Sequence, residues 1–340
     1  MIKKILYFII VLAGLIIVSY FLQPIKKGKG LDPTTKYELV SNWLDLPKDF
    51  KLGNPTGIGI DTNQNIIVFH RADREWSLFG SIPDEPIISK TILVIDKERG
   101  KLLDSWGDNL FIMPHGLTVD HENNIWVSDV GLHQVLKFSH DGKLLMKLGE
   151  AKVSGNDSLH FNKPTDIAVA KDGSFYVSDG YGNSRVVKFS AAGKYLLEWG
   201  KKGGKESEFN IPHGISLNSN GKVFVADREN NRIQVFDPNG KFIKQFEDNS
   251  FGKICSVAFD KTGTKLFSVD DFTFFKVKHH GSDVFIFDTT GNVQTRFGRS
   301  GSYNGNISWY HDLTIDKDEN IYIGDILGNT IQKFKKVSNR

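Results

Sequence analysis

Three histidines open equivalent copies of a repeated sequence pattern. His115 begins HGLTVD, His213 begins HGISLN and His311 begins HDLTID. Imidazole is a favoured zinc ligand, and catalytic zinc sites typically have three protein ligands and one open position. If the fold brings the three side chains together, they predict a zinc site of this type. The alternative is a set of histidines that line a channel and bond to water or backbone.

Equivalent turns carry two arginines and a tyrosine. Arg71 in FHRAD and Arg228 in VADREN fall at matching places, and Tyr181 lies between two glycines in SDGYGNSR. Flanking glycines allow a tight turn that presents the ring to its surroundings. On the same face as a metal site, two cations and a phenol predict an anionic substrate. Taken singly, each is an ordinary surface or turn residue.

These side chains need a fold that repeats its geometry. Each copy of the pattern has a short apolar strand, a turn, a second strand, a polar turn and two further strand segments. The copies begin 42 to 59 residues apart, at Thr56, His115, Thr165, His213, Cys255 and His311. Units of about 40 to 50 residues with four strands each are typical of propeller blades. We predict an all-β, six-bladed β-propeller over residues 36–337, with an open solenoid as the alternative.

Closure of this ring decides where the histidines meet. The sixth copy stops after its third strand, so we expect Tyr37–Trp43 to supply the fourth. Successive blades are then about 60° apart, and histidines on alternate blades face one channel about 120° apart. Cys255 shares their register, but we interpret it as a small buried residue rather than a fourth ligand.

Acidic side chains recur at two further positions. Asp312 directly follows His311, and beside a metal ligand its carboxylate could hold a second, hard cation. An Asp also ends the second strand of five copies, which predicts a structural role in binding turn N–H groups. These residues are Asp129, Asp179, Asp227, Asp270 and Asp325.

The N-terminus differs from the rest of the chain. Lys3 and Lys4 precede an 18-residue apolar run, Ile5–Leu22, which is about the minimum for a membrane-spanning helix. We predict a signal anchor over residues 1–24, in preference to a cleaved signal peptide, and a polar linker over 25–35. This predicts a single-pass membrane protein with its propeller in the periplasm or outside the cell.

Charge and cysteine content exclude other classes. The net charge is +3, but residues 1–30 hold five Lys and no acid, so the remainder is near −2. That balance argues against nucleic acid as a partner. The single cysteine excludes an intramolecular disulfide and a cysteine-cluster metal site.

Longer motifs support a resemblance to a known family. They include IIVFHRAD, NLFIMPHGLTVD, YVSDGYGNSR, IPHGISL, VADRENNRIQVF and YHDLTID. The blades resemble NHL repeats, and the whole propeller is similar to the peptidyl-α-hydroxyglycine α-amidating lyases (peptidylamidoglycolate lyases). The resemblance implies a catalytic zinc ion on the three histidines, a catalytic Tyr181 and active-site arginines at Arg71 and Arg228. It also implies a structural calcium ion held by Asp312 and by the backbone carbonyls of Ile58 and Leu117.

The implied reaction is cleavage of the C–N bond of a peptidyl- or N-acyl-α-hydroxyglycine to an amide and glyoxylate. We expect zinc and the arginines to lower the pKa of Tyr181 so that it acts as the base. A separate monooxygenase would supply the substrate. Gly182 and Val235 stand where animal members carry cysteines, and Trp309-Tyr310 replaces Met-Pro, which predicts a differently shaped pocket.

Two other classes are compatible with a propeller. One is a non-catalytic, membrane-anchored NHL propeller that binds a protein or glycan, although such a scaffold has no need of the histidines. The other is a calcium-dependent lactonase, whose site would favour oxygen ligands over three imidazoles.

Overall fold

The computed structural model describes residues 36–76, 81–271, 273–274, 278–279, 281–288, 290–298 and 308–337. The predicted anchor and linker lie outside these ranges. Within them, no helix is long and apolar enough to cross a membrane.

Six four-stranded antiparallel sheets account for the six sequence repeats. The first strand of the chain is β1 (Tyr37–Leu39). Blade 1 contains β2 (Pro55–Ile60), β3 (Ile66–His70), β4 (Ile92–Ile95) and β5 (Leu102–Trp106). Blade 2 contains β6 (Pro114–Val119), β7 (Ile125–Asp129), β8 (Gln134–Phe138) and β9 (Leu144–Leu148). Blade 3 contains β10 (Asp166–Val169), β11 (Phe175–Asp179), β12 (Arg185–Phe189) and β13 (Tyr195–Trp199).

Blades 4 to 6 follow the same order. Blade 4 contains β14 (Pro212–Leu217), β15 (Val223–Asp227), a 3₁₀ turn (Arg228–Asn230), β16 (Arg232–Phe236) and β17 (Phe242–Glu247). Blade 5 contains β18 (Lys253–Phe259), β19 (Leu266–Asp271), a small hairpin of β20 (Thr273–Phe274) and β21 (Lys278–His279), then β22 (Asp283–Phe287) and β23 (Val293–Gly298). Blade 6 contains β24 (Tyr310–Ile315), β25 (Ile321–Asp325) and β26 (Thr330–Lys336).

The ring closes as the sequence predicts. Strand β1 pairs antiparallel with β26, with Tyr37 opposite Lys336, and so becomes the outer strand of blade 6. The inner strand of each blade contacts that of the next, and β24 contacts β2. Tyr37 lies at the end of β26 far from the Tyr310–Asp325 pair. The chain therefore enters the propeller on the face opposite to the one where the inner strands begin.

The core lies between the blades. Six clusters of buried apolar side chains each join the facing sheets of two neighbouring blades. The second strand of a blade is covered on both faces, so Ile321, Tyr322 and Ile323 are all buried although they alternate in direction. This packing fixes the inner strands, which carry the histidines.

Candidate metal centre and surrounding site

The three predicted histidines meet on the propeller axis. Their ring centroids are 4.7, 4.7 and 4.8 Å apart and their ring planes are inclined by 69°, 69° and 70°, close to threefold symmetry. All three side chains are buried, and their ligand atoms lie within 4.8 Å of one another. His115, His213 and His311 can therefore hold a metal ion, and no other described residues form such a group.

Local irregularities in the inner strands aim these side chains at the axis. The register between first and second strands shifts between Pro114 and Leu117 and between Pro212 and Ile215. A shift next to His311, between Tyr310 and Asp312, repeats this in blade 6. Such bulges bend a strand and re-aim a side chain.

Each histidine lies next to a blade that lacks one, and that blade supplies a backbone hydrogen-bond acceptor. Each histidine places Nδ1 against the backbone carbonyl that starts the next blade: Thr165 O at 2.7 Å for His115, Cys255 O at 2.7 Å for His213 and Thr56 O at 2.8 Å for His311. A carbonyl only accepts, so each Nδ1 must donate. This fixes the tautomer and leaves each Nε2 lone pair for a metal ion.

Burial keeps these imidazoles neutral. It lowers the pKa of His115 and His213 well below the usual value, and the neighbouring histidines and arginines lower them further. Burial, helped by Arg71, lowers the pKa of His311 to about 3. A neutral imidazole is the form that binds metal.

Cys255 contributes its backbone rather than its thiol. Its carbonyl accepts from His213, while its buried Sγ donates to Lys253 O at 3.4 Å. Burial raises the pKa of the thiol to about 12, which disfavours the thiolate that a metal would require.

The strand-end aspartates hold the segments that lead into the site. Asp129 accepts from the backbone N–H groups of Ile112 and Met113 at 2.8 and 2.9 Å, directly before β6, which carries His115. It also accepts from the next turn, at Leu132 N. The predicted structural role of these aspartates is confirmed at this position.

Tyr181 lies directly over the histidines. Its hydroxyl is 3.1 Å from Nε2 of His115 and 3.2 Å from Nε2 of His213. A Cβ at Gly180 would lie 2.0 Å from Pro212 O, and one at Gly182 would lie 2.1 Å from the Asn162 side chain. A side chain at position 180 would meet backbone, whereas one at position 182 would require the Asn162 side chain to move.

The electrostatics of Tyr181 differ from the sequence expectation. Burial raises the pKa of its phenol, and the nearby Arg228 and Arg71 only partly oppose that effect. The two cations of the protein alone do not bring the phenol below its ordinary pKa, because removing a phenolate from water outweighs their attraction.

Both predicted arginines lie beside Tyr181, Arg71 buried and Arg228 partly buried. Arg71 donates from Nε to Pro114 O at 3.0 Å, and burial lowers its pKa to about 10. Desolvation lowers the pKa of Arg228, but its interactions with the ionisable groups of Tyr181, Cys255 and Glu229 outweigh this, so the net shift is upward. Arg228 Nε has no hydrogen-bond partner among the described residues. Its backbone N donates to Ile211 O, a β-branched residue with φ of 62°, a costly conformation that often marks functional sites.

Sequence reasoning missed Trp76, which links two of these residues. Its ring lies 5.0 Å from that of Tyr181, and Arg71 Cζ lies 5.2 Å from its centroid. It packs with buried Ile112 and Met113 in an apolar cluster beside the tyrosine. The only available signal was a tryptophan in the charged segment RADREW.

The predicted calcium ligands form a second level next to the histidines. Asp312 is partly buried, and its Oδ2 accepts from Ile58 N at 2.7 Å. Leu117 packs on the neighbouring Gly57, where a Cβ would lie 2.6 Å from Leu117 Cβ. The histidines and Asp312 line one cavity on the propeller axis. Asp166 also lines this cavity, and sequence reasoning did not identify it as a site residue. Burial raises the pKa of Asp312 to about 6 and that of Asp166 well above its usual value, to which Asp312 also contributes.

The two residues of the Trp309-Tyr310 pair differ in burial. The Tyr310 ring is buried between blades 5 and 6, and its hydroxyl donates to Gln332 Oε1 at 2.8 Å. Tyr310 therefore belongs to the core. Trp309 is partly exposed, and its backbone N donates to Asp325 at 2.9 Å.

Comparison with known proteins extends these observations. The NHL repeat model matches residues 111–138, 161–189 and 209–236. "Peptidyl-alpha-hydroxyglycine alpha-amidating lyase 1" of Drosophila melanogaster is 34% identical over 84% of this chain and 57% of its own length. The chain is a homologue of the peptidyl-alpha-hydroxyglycine alpha-amidating lyases. This confirms the predicted resemblance, and the lyase class agrees with the relatives' names.

Other relatives place limits on the comparison. "Peptidyl-glycine alpha-amidating monooxygenase B" of Xenopus laevis is 34% identical over 84% of this chain, but the chain spans only 34% of its length. A solved gluconolactonase from Xanthomonas campestris superposes with a TM-score of 0.57 at 13% identity, covering 84% of this chain and 87% of that one. This second likeness shows the propeller fold alone.

Proposed function

We propose that this protein is a zinc-dependent lyase that cleaves the C–N bond of a peptidyl- or N-acyl-α-hydroxyglycine, releasing an amide and glyoxylate. The observation that carries the proposal is the contact of the Tyr181 hydroxyl with Nε2 of both His115 and His213, beside two arginines. A phenol, a metal-binding triad and two cations in one buried site match the needs of this reaction. The names of the relatives support the same chemistry.

The histidine triad is the zinc site of this proposal. The donor set fits, because three neutral imidazoles with fixed tautomers direct Nε2 to one point. Zinc, when bound there, acts as a Lewis acid that lowers the pKa of the substrate hydroxyl and stabilises developing negative charge.

Tyr181 moves the proton. As the phenolate it takes the proton of the substrate hydroxyl, the C–O bond becomes a carbonyl as the C–N bond breaks, and Tyr181 returns the proton to the departing nitrogen. The proton is thus restored in each cycle and no redox cofactor is consumed. Arg228 and Arg71 only partly offset the effect of burial on the pKa of Tyr181, so the charge of a metal ion held by the histidines would have to supply the remaining stabilisation of the phenolate.

The arginines also bind the substrate. The free carboxylate of α-hydroxyglycine is an anion, and guanidinium groups bind carboxylates through charge-assisted hydrogen bonds. Arg71 is held in place through its Nε, while Arg228 brings an unpartnered Nε into the same buried region. Trp76 forms an apolar wall beside them for the acyl group.

The proposal includes the membrane and the second metal. The apolar run 5–22 anchors the chain, with the propeller in the periplasm or outside the cell. Because Tyr37 enters on the face opposite to the start of the inner strands, the site opens away from the anchor. Calcium binds at Asp312 with the carbonyls of Ile58 and Leu117, and a separate monooxygenase supplies substrate.

The test uses the full chain purified in detergent. We expect about one zinc per chain by elemental analysis and release of glyoxylate from α-hydroxyhippurate or other N-acyl-α-hydroxyglycines. His213→Ala should lose most of the zinc and the activity. Zinc-loaded protein that releases no glyoxylate from any of several acyl substrates would refute the lyase and favour the non-catalytic scaffold.

A further inference from the structure

A second ring of residues lies directly beside the histidine ring. Each of these residues directly follows the first residue of its sequence repeat; they are Gly57, Gly116, Asp166, Gly214, Ser256 and Asp312. Five of the six line the same axial cavity as the histidines. The two carboxylates belong to blades 3 and 6, which face each other across the axis.

Each carboxylate is held by the blades on either side of it. Asp312 accepts from Ser256 Oγ on blade 5 and from Ile58 N on blade 1, at 2.5 and 2.7 Å. Asp166 accepts from Ile215 N on blade 4 at 3.0 Å, and its Oδ1 lies 2.8 Å from where a Cβ would stand on Gly116 of blade 2. The glycine on blade 2 thus leaves the space that Asp166 occupies.

Among the described residues the pair has no counter-ion, because no Lys, Arg or His is among the groups that act on either carboxylate. Both residues are partly buried, and both line the axial cavity. Two like charges that face one cavity without a cation are costly. Carboxylate and carbonyl oxygens are the ligands that calcium prefers, whereas the neighbouring imidazoles suit zinc.

We infer that Asp166 is a second carboxylate ligand of the calcium ion that Asp312 binds. The predicted donors Asp312, Ile58 and Leu117 come from blades 6, 1 and 2, and Asp166 on blade 3 extends this arc to four consecutive blades. The inference rests on the calcium site of the proposed function and is independent of lyase activity. Two carboxylates balance the charge of one Ca²⁺ ion.

The experiment titrates Ca²⁺ into the zinc-loaded full chain in detergent and measures calcium content, affinity and melting temperature. We expect wild-type protein to bind one calcium and to melt at a higher temperature with it, since a cation bound only by the folded state stabilises that state. Asp166→Asn should weaken calcium binding by about tenfold or more, because affinity follows the ligand charge count. It should also lose most of the melting increment while retaining zinc.

Two control variants separate binding from a purely structural role. Asp312→Asn should behave as Asp166→Asn does. Asp120→Asn alters a buried carboxylate in a turn of blade 2, whose partners are Trp126 Nε1 and Asn124 N, and it should keep the full calcium increment even if it melts earlier. Wild-type calcium affinity in Asp166→Asn, or no calcium in the wild type, would overturn the inference. Glyoxylate release is scored separately, so failure here leaves the lyase proposal standing.

Discussion

Replacing Tyr181 by Phe isolates the hydroxyl on which the proposed chemistry depends. The ring packs 5.0 Å from Trp76 and 5.2 and 5.7 Å from the rings of His115 and His213, and Phe can keep all of these contacts. The variant loses one oxygen atom, which lies 3.1 and 3.2 Å from the Nε2 atoms of the two histidines. The variant should therefore fold and keep the histidine geometry.

The expected effects on stability and rate differ widely. The hydroxyl has one proton and both Nε2 atoms are acceptors, so at most one hydrogen bond is lost. Such a bond contributes a net ~0.5–1.5 kcal/mol, so the free energy of unfolding should fall by no more than about 1.5 kcal/mol. A positioned acid or base contributes ~10²–10⁴-fold, so kcat should fall by that factor, or about 3–5 kcal/mol in activation free energy. KM should change little, because the arginines that bind the carboxylate remain.

The assay compares steady-state glyoxylate release with zinc content measured on the same preparation. Unchanged zinc and a fall in kcat of at least about a hundredfold would agree with Tyr181 as the base. A kcat within a few-fold of wild type would refute that role. Loss of zinc would instead show that the hydroxyl belongs to the metal ligand set.

Three further predictions test other parts of the structure. Trp76→Ala should raise KM for apolar N-acyl substrates by about tenfold, because it removes the ring that stacks against Arg71, whose Cζ lies 5.2 Å from the ring centroid. Trp76→Phe keeps an aromatic ring and should raise KM much less, as measured by steady-state kinetics. Tyr37→Ala should lower the free energy of unfolding by about 3–5 kcal/mol in urea denaturation, because the Tyr37 ring in blade 6 is buried against Phe297 of blade 5. The control Glu38→Ala alters an exposed side chain and should have little effect. Burial lowers the pKa of His70 to about 4 in the folded protein. At a pH between this value and the ordinary histidine pKa, the unfolded chain therefore binds a proton at His70 and the folded chain does not. Wild type should therefore lose about 2 kcal/mol between pH 7 and pH 5 through this residue, and His70→Gln should not; equal pH dependence of the two proteins would contradict this.

Several features of the site could be predicted because the fold repeats one geometry. Equal positions in six repeats must lie at equal distances from the axis, so the register of His115, His213 and His311 was sufficient to place them together. The same reasoning placed Arg71 and Arg228 on opposite blades, and the missing strand of the sixth repeat predicted the pairing of Tyr37 with the last strand, which is confirmed. None of these three predictions required knowledge of side-chain packing.

Other features depend on neighbours that the sequence separates. Asp166 and Asp312 are 146 positions apart, and only closure of the ring brings their charges to one cavity. Trp76 contacts Tyr181 from a loop after β3 that does not follow the repeat pattern, so that pattern could not predict this contact. Tyr310 departs from its family pattern beside a metal ligand, yet its ring packs in the core between two blades.

The sequence by itself determined the blade number, the register of the three histidines and the residue types available for chemistry. Only the tertiary structure decided the protonation of these groups. The pKa of Tyr181 is the balance between burial, which raises it, and two arginines from distant repeats, which lower it. Periodicity along a chain encodes register, whereas desolvation and Coulomb interactions sum over everything that is near in space.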